Sequence, residues 1–210
     1  MNTAPLAIGQ RLLIYGGTFD PPHRAHVELP FIVKRKLDFD GVIFVPAGRP
    51  PHKPDVDRTP GRHRLAMLKA ALGDRPDASI CPWELDRDGP SYTWHTVRQL
   101  ADHFGSDVAL RLLIGADMAL IFDQWVKPEV IERLAEPVVM IRPPYDRQTL
   151  LKTLPADRWA DRLVDVPPME EASSDLRQAL VDRGPDDPQV RDALPSPVLE
   201  YIRRHGLYAA

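Results

Sequence analysis

The sequence has a single cysteine, Cys81, so no internal disulfide can form, and its thiol suits a reducing compartment. Its charge excess is small, a formal net −3. That balance creates no strong field toward nucleic acid or a membrane surface, and neither is expected as a partner. No apolar run approaches the ~20 residues that a membrane-spanning helix requires. Residues 1–10 carry neither a basic region nor a long apolar stretch. No signal peptide is therefore expected there, the segment is expected to be flexible, and a cytoplasmic protein is implied. There is no internal repeat and no composition break, so one domain over 1–210 is expected. Homo-oligomerisation stays open.

Proline is abundant, with 23 residues, about twice the average share. It concentrates in pairs such as Pro50-Pro51, Pro143-Pro144 and Pro167-Pro168. Short apolar runs recur between these stiffened connections: Leu12–Tyr15, Val42–Pro46, Leu110–Ile114 and Val138–Ile141. They are continuous rather than alternating, as parallel strands buried on both faces are. Helical patterns separate them. One spans Arg24 to Leu37, where Pro30 should kink or restart the helix. A second opens with Thr59 as N-cap and Pro60 in the first position, and carries Leu65, Ala66, Leu68, Ala71 and Leu72 at helical spacing. A third opens at Ser91 or Thr93 and runs through Val97 and Leu100. Alternating strand and helix predicts an α/β fold with a mostly parallel sheet flanked by helices. Ligands in such sheets bind beyond the carboxyl ends of the strands.

The most informative segment lies at such an end: Gly16-Gly17-Thr18-Phe19-Asp20-Pro21-Pro22-His23-Arg24-Ala25-His26. It reads as a strand, a turn on two glycines, and two histidines on the first turn of a helix. Glycines let backbone approach a phosphate, and a helix start offers free N–H groups and a positive dipole end. His23 and His26, at i and i+3, share one helix face. Each part has an ordinary reading. A diglycine is often just a turn, and paired histidines can be solvated or bind zinc, though no third ligand follows at a familiar spacing. The combination points to a polyphosphate site.

This segment resembles the GGxFDPxHxxH signature of the HxGH-type nucleotidyltransferases, with Ala25 where glycine is usual. Further segments narrow the likeness to bacterial nicotinate-nucleotide adenylyltransferases. These are Gly89-Pro90-Ser91-Tyr92-Thr93, Gly115-Ala116-Asp117 with Phe122 and Trp125, and Ser173-Ser174-Asp175-Leu176-Arg177, followed by the ending Leu194 to Tyr208. The resemblance implies a Rossmann-like, doubly wound sheet. It also implies transfer of AMP from ATP to nicotinate mononucleotide, giving nicotinate adenine dinucleotide and pyrophosphate, with Mg²⁺ carried by ATP.

The attacking phosphate monoester has a second pKa near 6 and is mostly a dianion at neutral pH. The protein therefore has to align two anions and neutralise charge, with no need for a strong base. The resemblance places His23, His26 and Arg177 at the reacting phosphates. It assigns ATP to Gly16, Gly17, Thr18, the backbone around Phe19, Lys53, Gly115, Asp117, Ser173 and Ser174, with Asp117 on a ribose hydroxyl. It assigns the pyridine to Thr93, where main-chain amides take the carboxylate, and to Trp125, which stacks on the ring. Asp20 is either a helix cap or a nucleotide contact, and a cap is also open for Asp117. Trp83, Trp94 and Trp159 read as packing. Around Ser173 the family pattern is ISSTxxR, and Glu171, Ala172 and Ser174 depart from it. Two other readings stand beside this one. The first is a nicotinamide-nucleotide or pantetheine-phosphate adenylyltransferase, and the second a non-catalytic nucleotide-binding module.

Overall fold

A computed structural model describes residues 10–49, 58–169 and 171–209. Its chain runs β1 (Arg11–Gly17), α1 (Arg24–Lys36), β2 (Gly41–Pro46), α2 (Gly61–Leu72), β3 (Ala78–Ile80), α3 (Thr93–Phe104), β4 (Ala109–Gly115), α4 (Ala116–Leu120), α5 (Pro128–Leu134), β5 (Pro137–Ile141), α6 (Arg147–Thr153), α7 (Ala156–Trp159), β6 (Leu163–Asp165), α8 (Ser173–Arg183), α9 (Pro188–Ala193) and α10 (Ser196–His205). The strands form one sheet of order β3-β2-β1-β4-β5-β6, and every observed pairing is parallel. This is the doubly wound Rossmann order, whose direction of winding reverses between β1 and β4.

Side chains alternate across the sheet. Leu12, Ile14, Ile43, Leu112, Ile114 and Val139 pack toward Val97, Leu100 and Ile131 of α3 and α5. Leu13, Val42, Phe44, Leu113, Val138 and Met140 pack toward Val27, Leu29, Phe31 and Val33 of α1. A third cluster, with Leu176, Leu180, Val190, Val198 and Ile202, seats α8–α10 against Met67 of α2. Each such buried side chain contributes about 1.5–3 kcal/mol. Among the described residues no helix is long and apolar enough to cross a membrane.

The four long apolar runs all become strands. β3 and β6 were not legible, because each has three residues, too few to show a period. Pro30 neither stops nor restarts α1, which runs unbroken through it and buries its ring. The second helix begins one residue later than expected, at Gly61 with Pro60 as N-cap. Its buried stripe is also rotated from Leu65 and Ala66 to Arg64, Met67, Leu68 and Leu72. An arginine on the buried face is what hid this stripe from an apolar pattern.

Candidate active site

At the carboxyl ends of β1, β4 and β5 lies a cavity of about 280 Å³. Gly16, Gly17 and Thr18 form its floor, with His23 and His26 on one side. Thr93, Glu84 and Thr96 stand on another, and Gly115, Asp117, Trp125 and Arg142 complete it. Nine of the residues singled out from sequence thus meet in one place. Lys53 lies outside the described residues.

The diglycine is not a turn. Gly16 and Gly17 are the last residues of β1, paired with Val45 and Pro46 of β2. A Cβ on Gly17 would lie 2.9 Å from the Phe19 ring, so a side chain there would displace that ring. The turn itself falls on Thr18–Pro22, with Phe19 in the left-handed region at φ 52°. The Phe19 ring is fully buried, so only its backbone can face a ligand.

His23 is the N-cap of α1, and its backbone N–H donates to His26 Nδ1 over a long 3.4 Å. The rings lie 3.6 Å apart between centroids. Burial, the largest cause, and the nearby Arg142 push His23 down to about 3 and lower His26 as well. Both imidazoles are therefore held toward the neutral form, in which they act as hydrogen-bond partners. Because His26 Nδ1 accepts, its proton is assigned to Nε2, which becomes its donor. Among the described residues, His23 Nδ1 is buried without a partner. Fixed positive charge in this cavity comes from Arg142, the residue after β5.

Asp20 is not the helix cap, and its side chain is engaged within the protein. Its carboxylate accepts from the Thr59 backbone N–H at 3.1 Å and from the Tyr208 hydroxyl at 2.5 Å. Arg177 Nη1 donates to the Asp20 carbonyl at 2.7 Å, and the Ser173 hydroxyl donates to the Pro21 carbonyl at 3.1 Å. The Ser174 hydroxyl donates to Asp175 at 3.0 Å. Ser173 and Arg177 thus stand behind the Thr18–Pro22 loop and brace it, while the exposed Ser174 bonds only its neighbour Asp175. Asp117 is not a cap either: α4 begins after Gly115 with no side-chain cap bond. The Asp117 carboxylate instead folds back over Gly115, where a Cβ would lie 2.5 Å from Oδ1.

Arg64 and Glu84 shape the site without having been recognised in the sequence. Arg64, 3% exposed, donates to the carbonyls of Thr18 at 2.8 Å, Ala47 at 2.8 Å and Thr59 at 2.9 Å. It ties together the chain leaving β1, the chain leaving β2 and the start of α2. A buried arginine of this kind is tolerated because its donors are satisfied. Glu84 accepts from the Thr96 hydroxyl at 2.6 Å. Burial raises its carboxyl pKa, against opposing hydrogen bonds from Thr96, the Gly48 amide and Ser91. Ser91 and Arg49 exchange two further bonds, Arg49 N–H to Ser91 Oγ at 3.0 Å and Ser91 N–H to the Arg49 carbonyl at 2.8 Å. Neither residue had a periodic signal. Arg142 did, as a cation directly beyond a buried strand.

The third helix starts at Thr93, after a Tyr92 N-cap that supplies no side-chain bond. A helix start leaves its first backbone amides without partners inside the helix, although here the His95 N–H donates to the Tyr92 carbonyl at 3.0 Å. Trp125 packs on Phe122 with centroids 5.4 Å apart, and its indole N–H is buried without a partner among the described residues. Trp83, Trp94 and Trp159 pack in or against the core as expected. Among the described residues, no three His, Cys, Asp or Glu side chains cluster to hold a metal.

Comparison with known proteins agrees with this geometry. The cytidylyltransferase-like family model matches residues 14–179. A probable nicotinate-nucleotide adenylyltransferase of Thermomicrobium roseum is 40% identical over 94% of this chain and 91% of its own length. The nicotinate-nucleotide adenylyltransferase of Bacillus subtilis is 33% identical, covering 95% of this chain and 98% of its own. The fold is shared with Plasmodium falciparum nicotinic acid mononucleotide adenylyltransferase complexed with NaAD, at TM-score 0.69 and 18% identity over 95% of this chain and 97% of that one.

Proposed function

This chain belongs to the nicotinate-nucleotide adenylyltransferases of the cytidylyltransferase-like family, and we propose that the cavity beyond β1 and β4 is where it joins two nucleotides. The enzyme transfers AMP from ATP to nicotinate mononucleotide, releasing pyrophosphate and giving nicotinate adenine dinucleotide for NAD synthesis. A phosphate oxygen of the mononucleotide bonds to the α-phosphorus of ATP, and the bond from that phosphorus to the bridging oxygen breaks. No proton need leave the nucleophile, which is already mostly a dianion. Catalysis is alignment and charge stabilisation.

The convergence of Gly17, His26 and Arg142 on one cavity carries this reading. His26 donates from Nε2 to phosphate, His23 adds a second imidazole, and Arg142 supplies positive charge. Thr18 and the backbone at Phe19 approach the same phosphates. Arg177 and Ser173 act from behind, setting the loop through Asp20 and Pro21, with the remaining Arg177 nitrogens and the Ser174 hydroxyl reaching toward phosphate. Lys53 adds a second cation. Asp117, over Gly115, takes a ribose hydroxyl. Thr93 and its neighbouring amides take the nicotinate carboxylate, and Trp125 stacks on the ring. ATP enters as its Mg²⁺ complex, with phosphate oxygens and water as the principal ligands, because Mg²⁺ seldom has an all-protein cage.

The direct test is pyrophosphate release from ATP and Mg²⁺ with nicotinate mononucleotide, nicotinamide mononucleotide or phosphopantetheine as acceptor. Fast release with nicotinate mononucleotide is expected. Release with phosphopantetheine alone would select the pantetheine reading, and no release with any of the three acceptors would select the non-catalytic one.

A further inference from the structure

Tyr15 precedes Gly16-Gly17 on β1 and lines the cavity together with His26, Asp117 and Arg142. Strand alternation puts it on the α1 side of the sheet, with Leu13. Its ring lies edge-on to Phe19 and to Phe44, with centroids 5.9 Å away in both cases. The His26 ring is 6.5 Å away. A phenylalanine would fill this aromatic shell equally well, so packing accounts for the ring and leaves the hydroxyl unexplained.

Among the described residues nothing hydrogen-bonds that hydroxyl, although the side chain is half-buried and opens on the cavity. Two other tyrosines differ. The Tyr208 hydroxyl is engaged by Asp20 and the Tyr201 hydroxyl by His63. We propose that the Tyr15 hydroxyl contacts substrate, donating a hydrogen bond to a phosphate oxygen of the nucleoside triphosphate. The assignment rests on the AMP-transfer reading of this cavity. Arg142 and the His26 donor make this part of the cavity a place for an anion, and a neutral donor beside them adds affinity without adding charge. Burial and the Asp117 carboxylate push the phenol up to about 12 against the pull of Arg142, so it keeps its proton and can donate.

The test is Tyr15→Phe, which keeps the ring and removes one oxygen. A lost hydrogen bond to a charged group should lower kcat/KM for ATP and weaken binding of a non-hydrolysable ATP analogue, each by on the order of tenfold. KM for the mononucleotide and the thermal midpoint should stay at the parent values. Unchanged kcat/KM for ATP together with unchanged analogue affinity would overturn the assignment. So would equal losses for both substrates accompanied by a lower thermal midpoint, which would make Tyr15 a packing residue. Failure of the AMP-transfer reading shows separately, as absent turnover by the parent protein. Calorimetry with the analogue then still decides the Tyr15 contact.

Discussion

Tyr208 and Asp20, 188 positions apart, meet in a hydrogen bond of 2.5 Å from the phenol to carboxylate Oδ1. The other carboxylate oxygen holds the Thr59 amide, and the Asp20 carbonyl holds Arg177. The loop that presents His23 is thus fixed from α2, from α8 and from the segment after α10. Asp20 is 2% exposed, so an acceptor deprived of its donor there has little water to replace it. Tyr208→Phe should cost about 1–3 kcal/mol of stability. It should also raise KM for ATP, because the loop loses one of its tethers. Urea unfolding and steady-state kinetics read both. A variant with parent stability and parent KM would show that the latch does not set the loop.

The buried histidines make stability depend on pH. The folded-state pKa of His23, about 3, lies below the ordinary histidine value of 6.5. The unfolded chain therefore binds more protons between those values. The stability contributed by neutral His23 is fully present above about 6.5 and declines as pH falls toward 3, at up to about 1.4 kcal/mol per pH unit. His26 adds to the same trend. Urea midpoints taken from about pH 7.5 to about pH 5 should fall in the parent and fall less steeply in His23→Asn. Parallel declines would mean that His23 is not held neutral.

Arg177 holds the Asp20 carbonyl with one guanidinium nitrogen, and the proposed function gives the rest of its planar fork to phosphate. A lysine ammonium cannot keep that geometry. Arg177→Lys should lower kcat/KM for ATP by on the order of tenfold, with the charge unchanged. If the lysine variant equals the parent, Arg177 is a loop brace whose role any cation fills.

Local sequence carried the strands and the gathering of the motif residues, because buried parallel strands are continuous apolar runs and Gly16–His26 is contiguous. It could not show how distant segments act on that motif. Asp20 reads locally as a cap, yet its partners Thr59 and Tyr208 come from other parts of the chain. Arg64 sits among Arg62 and His63 and looks like a solvated face, although its three acceptors lie on Thr18, Ala47 and Thr59. Residues that brace a site from behind carry no periodic or spacing signal, because carbonyl acceptors are present at every position. The protonation of His23 and His26 is equally a product of burial and of Arg142, which no local pattern conveys.

The account turns on which pyridine the Thr93 wall selects. A helix start whose cap supplies no side chain presents N–H donors, and a carboxylate is an acceptor at both oxygens. A carboxamide would aim its NH₂ at those donors and leave pairs unsatisfied, at about 1–3 kcal/mol each. On the proposed reading Trp125 stacks on either ring alike. The deciding measurement is kcat/KM for nicotinate mononucleotide against nicotinamide mononucleotide, in the parent and in Trp125→Ala. The prediction is a preference of roughly tenfold or more for the acid, retained when Trp125→Ala slows both substrates. Equal values in the parent, or a preference for the amide, would contradict it.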